Sequence, residues 1–281
     1  MRVAVIIDNN PHPSQDLLTE HGLSIYFEAD GFKWLVDVGG SAQFYTNAVS
    51  MGINVEDVDF LVLSHGHFDH TGGLEQFIKV NKKAQIIISA QILGKTFYSY
   101  RLQAKRDISI NHSVVNQHIN RFIVADGNMR ISTNVGLVCE IPIIYTTPKA
   151  NNKLFIVDSD GEQLDGFKHE VALAVNTAEG IVVFSGCSHN GVLNILEACS
   201  IYFNQPQIIA CIGGTHLIDS DAINKFETES EINEIGKTIV SSYPNMQLIT
   251  GHCTGINVQS QLSKILGVNF KSFHSGTYLS F

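Results

Sequence analysis

Three histidines and an aspartate fall within one run of six residues, His65, His67, Asp69 and His70 in LVLSHGHFDHTGGL. Imidazole nitrogen is the commonest donor to borderline divalent cations, and carboxylate oxygen adds charge. On a short turn, alternate residues converge, so His65 and His67 can meet one cation while Asp69 and His70 face a second. The apolar run Leu61 to Leu63 reads as a strand, and Gly72 or Gly73 opens a helix, so the cluster sits at a strand terminus where ligands are held rigidly. A solvated histidine-rich loop explains that position poorly.

A second stretch, FSGCSHNGVLNIL from Phe184 to Leu196, offers Cys187, Ser188 and His189 between an apolar strand and an apolar-periodic helix. It has the outline of a nucleophile elbow. Asn190 stands where G-x-S-x-G wants its last glycine, and a nucleophilic Cys187 needs a base and an electropositive setting. Neither explains the His65 to His70 cluster. Metal ligation explains both, so the turn is expected to aim His189 while the helix from about Gly191 offers free N–H groups to an anion.

The run His65-Gly66-His67-Phe68-Asp69-His70 resembles the HxHxDH signature of the metallo-β-lactamase fold superfamily, and Asp37 in LVDVGG matches its early acidic residue. The resemblance implies an α/β (α+β) fold, a four-layer αββα sandwich of two mixed sheets with metals at the sheet edges and Asp37 supporting the site from behind the ligands. DNNP, SHGHFDHTGG, GCSHNG, GGTHL and TGHCTG are similar to a subfamily labelled dihydropterin ribofuranosylaminobenzene phosphate synthase-like, which implies that Asn9 faces the pocket. In most of the superfamily a strand ending in Gly-Asp gives a metal-bridging carboxylate. Here GIVVFSG is followed by Cys187, so that aspartate is missing, and solvent or a substrate phosphate is left to bridge.

Two imidazoles leave a cation largely in water, so further ligands are needed. His189, His216 and His252 each follow an apolar strand in a glycine-containing turn. His189 is assigned with His65 and His67, and His252 with Asp69 and His70; which metal each set holds stays open. His216 is a ligand, a proton donor or a phosphate contact. His12, His21, His112, His118, His169 and His274 lack that context and are read as surface or packing residues, although His21 and His169 precede strands and could approach the site.

Two divalent ions, zinc by ligand softness with manganese or iron as alternatives, would lower the pKa of a bound water toward neutrality for attack on a phosphoryl or carbonyl centre. Asp69 would act as ligand and partner of that water, with His216 or Thr215 meeting the developing charge. Cys187, Cys253 and Thr254 are placed beside substrate or ligands. The expected substrate is a small phosphate-bearing ester, on the strength of helix N-termini after Gly72 and Gly191 and the GHCTG turn. A lactonase or thioesterase, a pterin-phosphate synthase-like enzyme and a non-catalytic metal sensor are the alternatives. A flavodiiron-type centre is disfavoured because His67 stands where resembling sequences carry Glu.

Strands at Val3–Asp8, Leu23–Ala29, Lys33–Gly39, Asp59–His65 and Ala84–Ala90 alternate with helices at Ser41–Gly52 and Gly72–Val80. The grammar returns in strands at Leu154–Ser159, Glu170–Thr177, Gly180–Gly186, Gln207–Gly214 and Met246–His252. Helices follow at Val192–Phe203, about Ala222–Ser242 and Gly255–Leu266. Two similar halves packed sheet to sheet within one domain, 1–281, are implied. Residues 91–150, richer in Asn, Arg, Lys and Tyr, are read as a lid or pocket insertion. A net charge of −9 disfavours duplex nucleic acid, although Lys95, Arg101, Lys105 and Arg106 offer a local groove against a solvated face. Five cysteines without a CxxC pair, no signal-peptide layout and no run of about 18 apolar residues point to a reduced, cytoplasmic protein without a membrane role, with a homo-oligomer left open.

Overall fold

The computed structural model describes residues 1–101, 104–205 and 207–281. Strands β1 (Arg2–Ile7), β2 (Ser24–Ala29) and β3 (Phe32–Val36) run antiparallel. Asp30 and Gly31 turn β2 into β3 at φ of 53° and 76°, the left-handed pair that a tight hairpin requires. After α1 (Gln43–Ser50), β4 (Phe60–Val62) joins β3 in parallel. Helices α2 (Phe68–Thr71) and α3 (Leu74–Val80) then return the chain to β5 (Gln85–Ser89), parallel to β4.

Strands β6 (Thr96–Arg101) and β7 (Ala104–Asp107), helix α4 (His112–Gln117) and strand β8 (Phe122–Ala125) follow, and β8 extends the first sheet beside β5. The second sheet opens with β9 (Met129–Arg130) and β10 (Val135–Val138). A hairpin of β11 (Leu154–Asp158) and β12 (Gly161–Leu164) precedes β13 (Ala172–Thr177) and β14 (Gly180–Phe184). Helix α5 (Val192–Phe203), strand β15 (Ile208–Ile212), helix α6 (Glu229–Ser242), strand β16 (Gln247–Thr250), helix α7 (Ile256–Leu266) and strand β17 (Phe270–Ser272) alternate before β18 (Tyr278–Ser280) returns to β1. The sheet orders are β18-β1-β2-β3-β4-β5-β8 and β17-β16-β15-β14-β13-β10-β9, each mixed, with a third, antiparallel sheet β12-β11-β6-β7.

Alternation along the strands divides the core into three layers. Val3, Val5, Phe27 and Trp34 face Leu173, Val182 and Phe184 between the two large sheets, and the Phe27 and Phe184 rings stack at 4.3 Å. Ala4 and Ile6 point outward to Phe44 of α1 and Phe77 of α3, while Ile181 and Val183 point to Leu196, Ile239 and Leu262 under α5, α6 and α7. Strands buried on both faces account for the near-continuous apolar runs of the sequence. The αββα sandwich of two mixed sheets expected above is therefore the observed architecture. Its two sheets meet closely at one edge, since a Cβ at Gly186 after β14 would overlap Ser64 Oγ after β4.

Residues 91–150 do not form one separate insertion. They feed all three sheets, and the small sheet joins 96–107 to 154–164, so Leu154–Asp158 pairs with β6 and not with the second sheet. Helix α6 starts at Glu229 and not near Ala222, because Thr228 and Glu231 cap each other's N–H groups and Asp221 holds Ile223 and Asn224 in a turn. Among the described residues no helix is long and apolar enough to cross a membrane.

Candidate metal centre

Each imidazole of the candidate centre enters from the turn after a parallel strand, and the inner nitrogens of His65, His70, His189 and His252 are held by side chains behind them. Asp37, buried after β3 at φ 60°, accepts the Ser64 N–H at 2.7 Å, the Ser64 hydroxyl at 2.6 Å and the His70 Nδ1–H at 2.7 Å. With its proton given to Asp37, Ser64 Oγ accepts from His65 Nδ1–H at 2.9 Å, which leaves His65 Nε2 with a lone pair. His189 Nδ1–H donates to Asn151 Oδ1 at 3.0 Å, and the Asn151 amide is oriented by its own bond to the His189 carbonyl at 2.8 Å. His252 Nδ1–H donates to Asn9 Oδ1 at 3.0 Å. Such partners fix the tautomer that presents Nε2 to a metal.

The outer nitrogens converge. One set with donor atoms mutually within 4.8 Å is His65, His67 and His189; a second is Asp69, His70, Cys187 and His252; a third joins Cys187, His189 and His216. His65 Nε2, His67 Nε2, His189 Nε2 and His216 Nδ1 are buried with no hydrogen-bond partner. Buried nitrogens without partners are costly, and His70 Nε2 faces His252 Nε2 at 3.0 Å, so the donor set fits divalent cations.

Electrostatics agree with that fit. Burial, with the neighbouring imidazoles, holds His65 and His189 well below the ordinary histidine value and takes His67 and His216 down to about 3, so these rings are neutral, as ligands must be. Burial also lowers His252. His70 goes the other way: burial opposes its charge, but Asp69 and Asp37 outweigh it and raise it to about 10. Burial opposes the charge of Asp69, yet His70 and His252 hold it well below the carboxylate range. The pull these carboxylates exert on a proton at His70 acts on any cation there.

The backbone carries strain at the same places. Among the described residues seven non-glycine positions have positive φ, and Asp37, Phe167, Ser188, His216 and His252 are five of them, all at or beside the centre. Such conformations cost about 1 kcal/mol or more each and persist where surroundings over-determine them. Ser188 shows how. Its hydroxyl donates to Gly214 O at 2.7 Å and meets Ser185 Oγ at 2.9 Å, so it ties two turns together and is not a poised nucleophile.

Several supporting residues escaped the sequence reading. Glu170, expected inside a strand, lies just before β13, and its carboxylate accepts the N–H groups of His189 and Asn190, each at 2.7 Å. Gly66 N–H donates to His169 Nδ1 at 3.2 Å, so His169 Nε2–H donates to Asp165 at 2.9 Å, and this buried pair braces the ligand loop. His21, read as a surface or packing residue that could approach the site, lies 3.4 Å from Asp69 Oδ2 and stacks on His252. Asp8 Oδ1 accepts the His252 N–H at 2.7 Å. His21 and His169 preceded strands in the sequence; Glu170 and Asn151 left no local signal.

His67, Asp69, Cys187, His189, His216 and His252 line the floor of a cavity of about 800 Å³, with His65 and His70 fully buried. Asn9, Asp69, Cys187, His216, Cys253 and Thr254 face it, with Phe68, Ile108 and Phe226 as apolar walls and Arg106 and Lys153 as cations. Thr215 is turned away, its hydroxyl 2.9 Å from Thr254 Oγ1, and lines a separate cavity of about 750 Å³ behind the centre. The helix N-termini expected to take an anion are also committed elsewhere. Gly191 and the start of α5 face that second cavity beside Glu227 and Glu231; Gly73 is packed against Phe44; Asp219 occupies the start of α7, accepting from Asn257 and Val258. Of the expected groove, Lys105 pairs with Glu162 and Lys95 with Gln91, Arg106 reaches the cavity, and the Arg101 side chain lies outside the described residues.

Comparison with known proteins gives the same picture. A curated relative from Methanocaldococcus jannaschii, 7,8-dihydropterin-6-methyl-4-(beta-D-ribofuranosyl)-aminobenzene-5'-phosphate synthase, is 27% identical over 94% of this chain and 90% of its own. A crystal structure of a metal-dependent hydrolase of the beta-lactamase superfamily superposes with a TM-score of 0.81 at 25% identity, covering 100% of this chain and 99% of that one. The zinc-bound PqqB from Methylobacterium extorquens shares the fold, with a TM-score of 0.58 at 12% identity and 100% of both chains covered. The family model of the metallo-beta-lactamase superfamily matches residues 19–186, more than half of the chain, and the protein belongs to that superfamily.

Proposed function

We propose that the protein is a binuclear metallohydrolase acting on a small phosphate-bearing ester. The observation that carries this reading is the convergence of unpartnered imidazole nitrogens and the Asp69 carboxylate on the floor of one cavity. His65, His67 and His189 would hold one divalent ion, and Asp69, His70 and His252 another. Bound there, the ions supply Lewis acidity and lower the pKa of water. Asp69 stays ionised at neutral pH, so it orients the attacking water by accepting a hydrogen bond. Asn9 donates to His21 Nδ1, which leaves the His21 Nε2–H aimed at Asp69 and fixes that carboxylate. His216, with its pKa near 3, is neutral at pH 7 and meets developing charge by hydrogen bonding, not as a proton reservoir.

Arg106 and Lys153 would attract the phosphate, and the apolar wall of Phe68, Ile108 and Phe226 would seat the remainder. The 5'-phosphate in the printed name of the synthase relative supports a phosphate-bearing substrate. The test is turnover by zinc-, manganese- and iron-loaded protein of bis-p-nitrophenyl phosphate against carboxylic esters, lactones and thioesters. Phosphodiester cleavage that tracks metal content is expected. A lactone or thioester preference moves the assignment to that class, and two bound metals without hydrolysis of any of these reject the hydrolase reading.

A further inference from the structure

The binuclear reading leaves one donor unused. Cys187 is 2% exposed, and its Sγ belongs to two donor sets, one with Asp69, His70 and His252 and one with His189 and His216. It lies 3.1 Å from His70 Nε2. His189 and His216, each with an unpartnered buried nitrogen, bring donor atoms within 4.8 Å of the same sulfur. The turn that places it is rigid: Ser188 is locked to Gly214, Glu170 takes the next two N–H groups, and Gly186 admits no Cβ against Ser64.

We infer that Cys187 is a metal ligand whose thiolate spans the two ions and links them. The inference rests on the two-metal reading and goes beyond it. On binding, the S–H proton passes to solvent and the sulfur lone pairs form the two metal bonds, with no change of oxidation state. Sulfur suits zinc in this place, since thiolate is a soft donor and a divalent cation keeps a coordinated thiol deprotonated. His216 Nδ1 then closes the set around the ion shared by His189 and Cys187, and its Nε2–H stays available as the hydrogen-bond donor. The neighbouring thiol, Cys253, serves the backbone instead, accepting the His216 N–H at 3.3 Å and donating to the Cys187 carbonyl at 3.6 Å.

Zinc-edge X-ray absorption of the fully zinc-loaded protein tests the bridge without recourse to activity. A bridging thiolate gives, on average, one sulfur neighbour per zinc at about 2.3 Å. That signal is expected in the native chain and in Cys253→Ser, and absent from Cys187→Ser. Cys187→Asp, which offers a carboxylate in the same place, should retain two zincs without the sulfur shell and guards against loss of fold in the serine variant. One sulfur for every two zincs, or none in a native protein holding two, overturns the bridge and leaves the hydrolase reading intact. Fewer than two zincs in the native protein overturns both.

Discussion

In the first half of the chain a single turn delivers the donors, whereas in the second half three turns deliver one imidazole each. Both halves use the same scaffold, an antiparallel hairpin followed by parallel strands: β2, β3, β4 and β5 against β13, β14, β15 and β16. After β4 come His65, His67, Asp69 and His70 together. After β14, β15 and β16 come His189, His216 and His252 separately, each imidazole lying at or beside a left-handed residue, Ser188, His216 or His252 itself. The compact turn is supported mainly by Asp37 and Ser64, close by on adjoining strands. The dispersed turns depend on remote residues: Asn151 and Glu170 for His189, Asp8 and Asn9 for His252. A local motif fixes geometry cheaply, while a distributed one ties the integrity of the site to the whole fold.

The harshest test removes one donor from each half within a shared set. His65→Ala and His189→Ala should each cost one of two bound metals, measured by elemental analysis. Loss of Lewis acidity is worth several kcal/mol, so turnover should fall by about a thousandfold in both. If His189→Ala keeps both metals and full turnover, the second half does not share the work and the comparison fails.

The same contrast governs how much was legible in the sequence. The six-residue cluster could be read because all its donors share one turn, and His189, His216 and His252 because each ends an apolar run at a glycine. Asp37 was legible only through the match of LVDVGG to the superfamily's early acidic residue. Asn151 and His169 act across 38 and 103 residues, separations at which no spacing rule operates. The third sheet was hidden for another reason. Strands β7 (AKRD) and β12 (GEQL) are exposed along their length, so they lack the apolar alternation that marks a half-buried strand. The helix N-termini were misjudged because sequence shows where a helix starts but not what already occupies its first turn, as Asp219 does for α7.

A smaller effect separates the sets by pH. His65, His67 and His189 are already neutral at pH 7, so metal entering among them displaces no proton. His70, raised to about 10 by Asp69 and Asp37 against the cost of burial, carries a proton that metal must expel. In Cys187→Ser, where no thiol proton contributes, affinity of the set containing His70 should therefore rise by about tenfold per pH unit through neutrality, while the other stays flat. Calorimetric titration in buffers of different ionisation enthalpy counts the protons released, and Cys187→Ser should release one fewer. Equal pH dependence of the two sets would erase this distinction between them.

The mildest change tests whether remote support does the work that adjacency does in the first half. Asn151→Ala leaves every ligand in place but removes the acceptor for His189 Nδ1–H and the donor to its carbonyl. Loss of such a partner typically weakens metal binding by about 10- to 100-fold. Asn151→Asp retains an acceptor for the imidazole while losing the donor, so it should recover most of that affinity. Competition with a chelator measures both. If the alanine variant binds as tightly as the native chain, His189 is oriented by the Glu170-held backbone alone, and the remote amide is packing. If alanine and aspartate are equally weak, the carbonyl bond and not the tautomer is what Asn151 supplies.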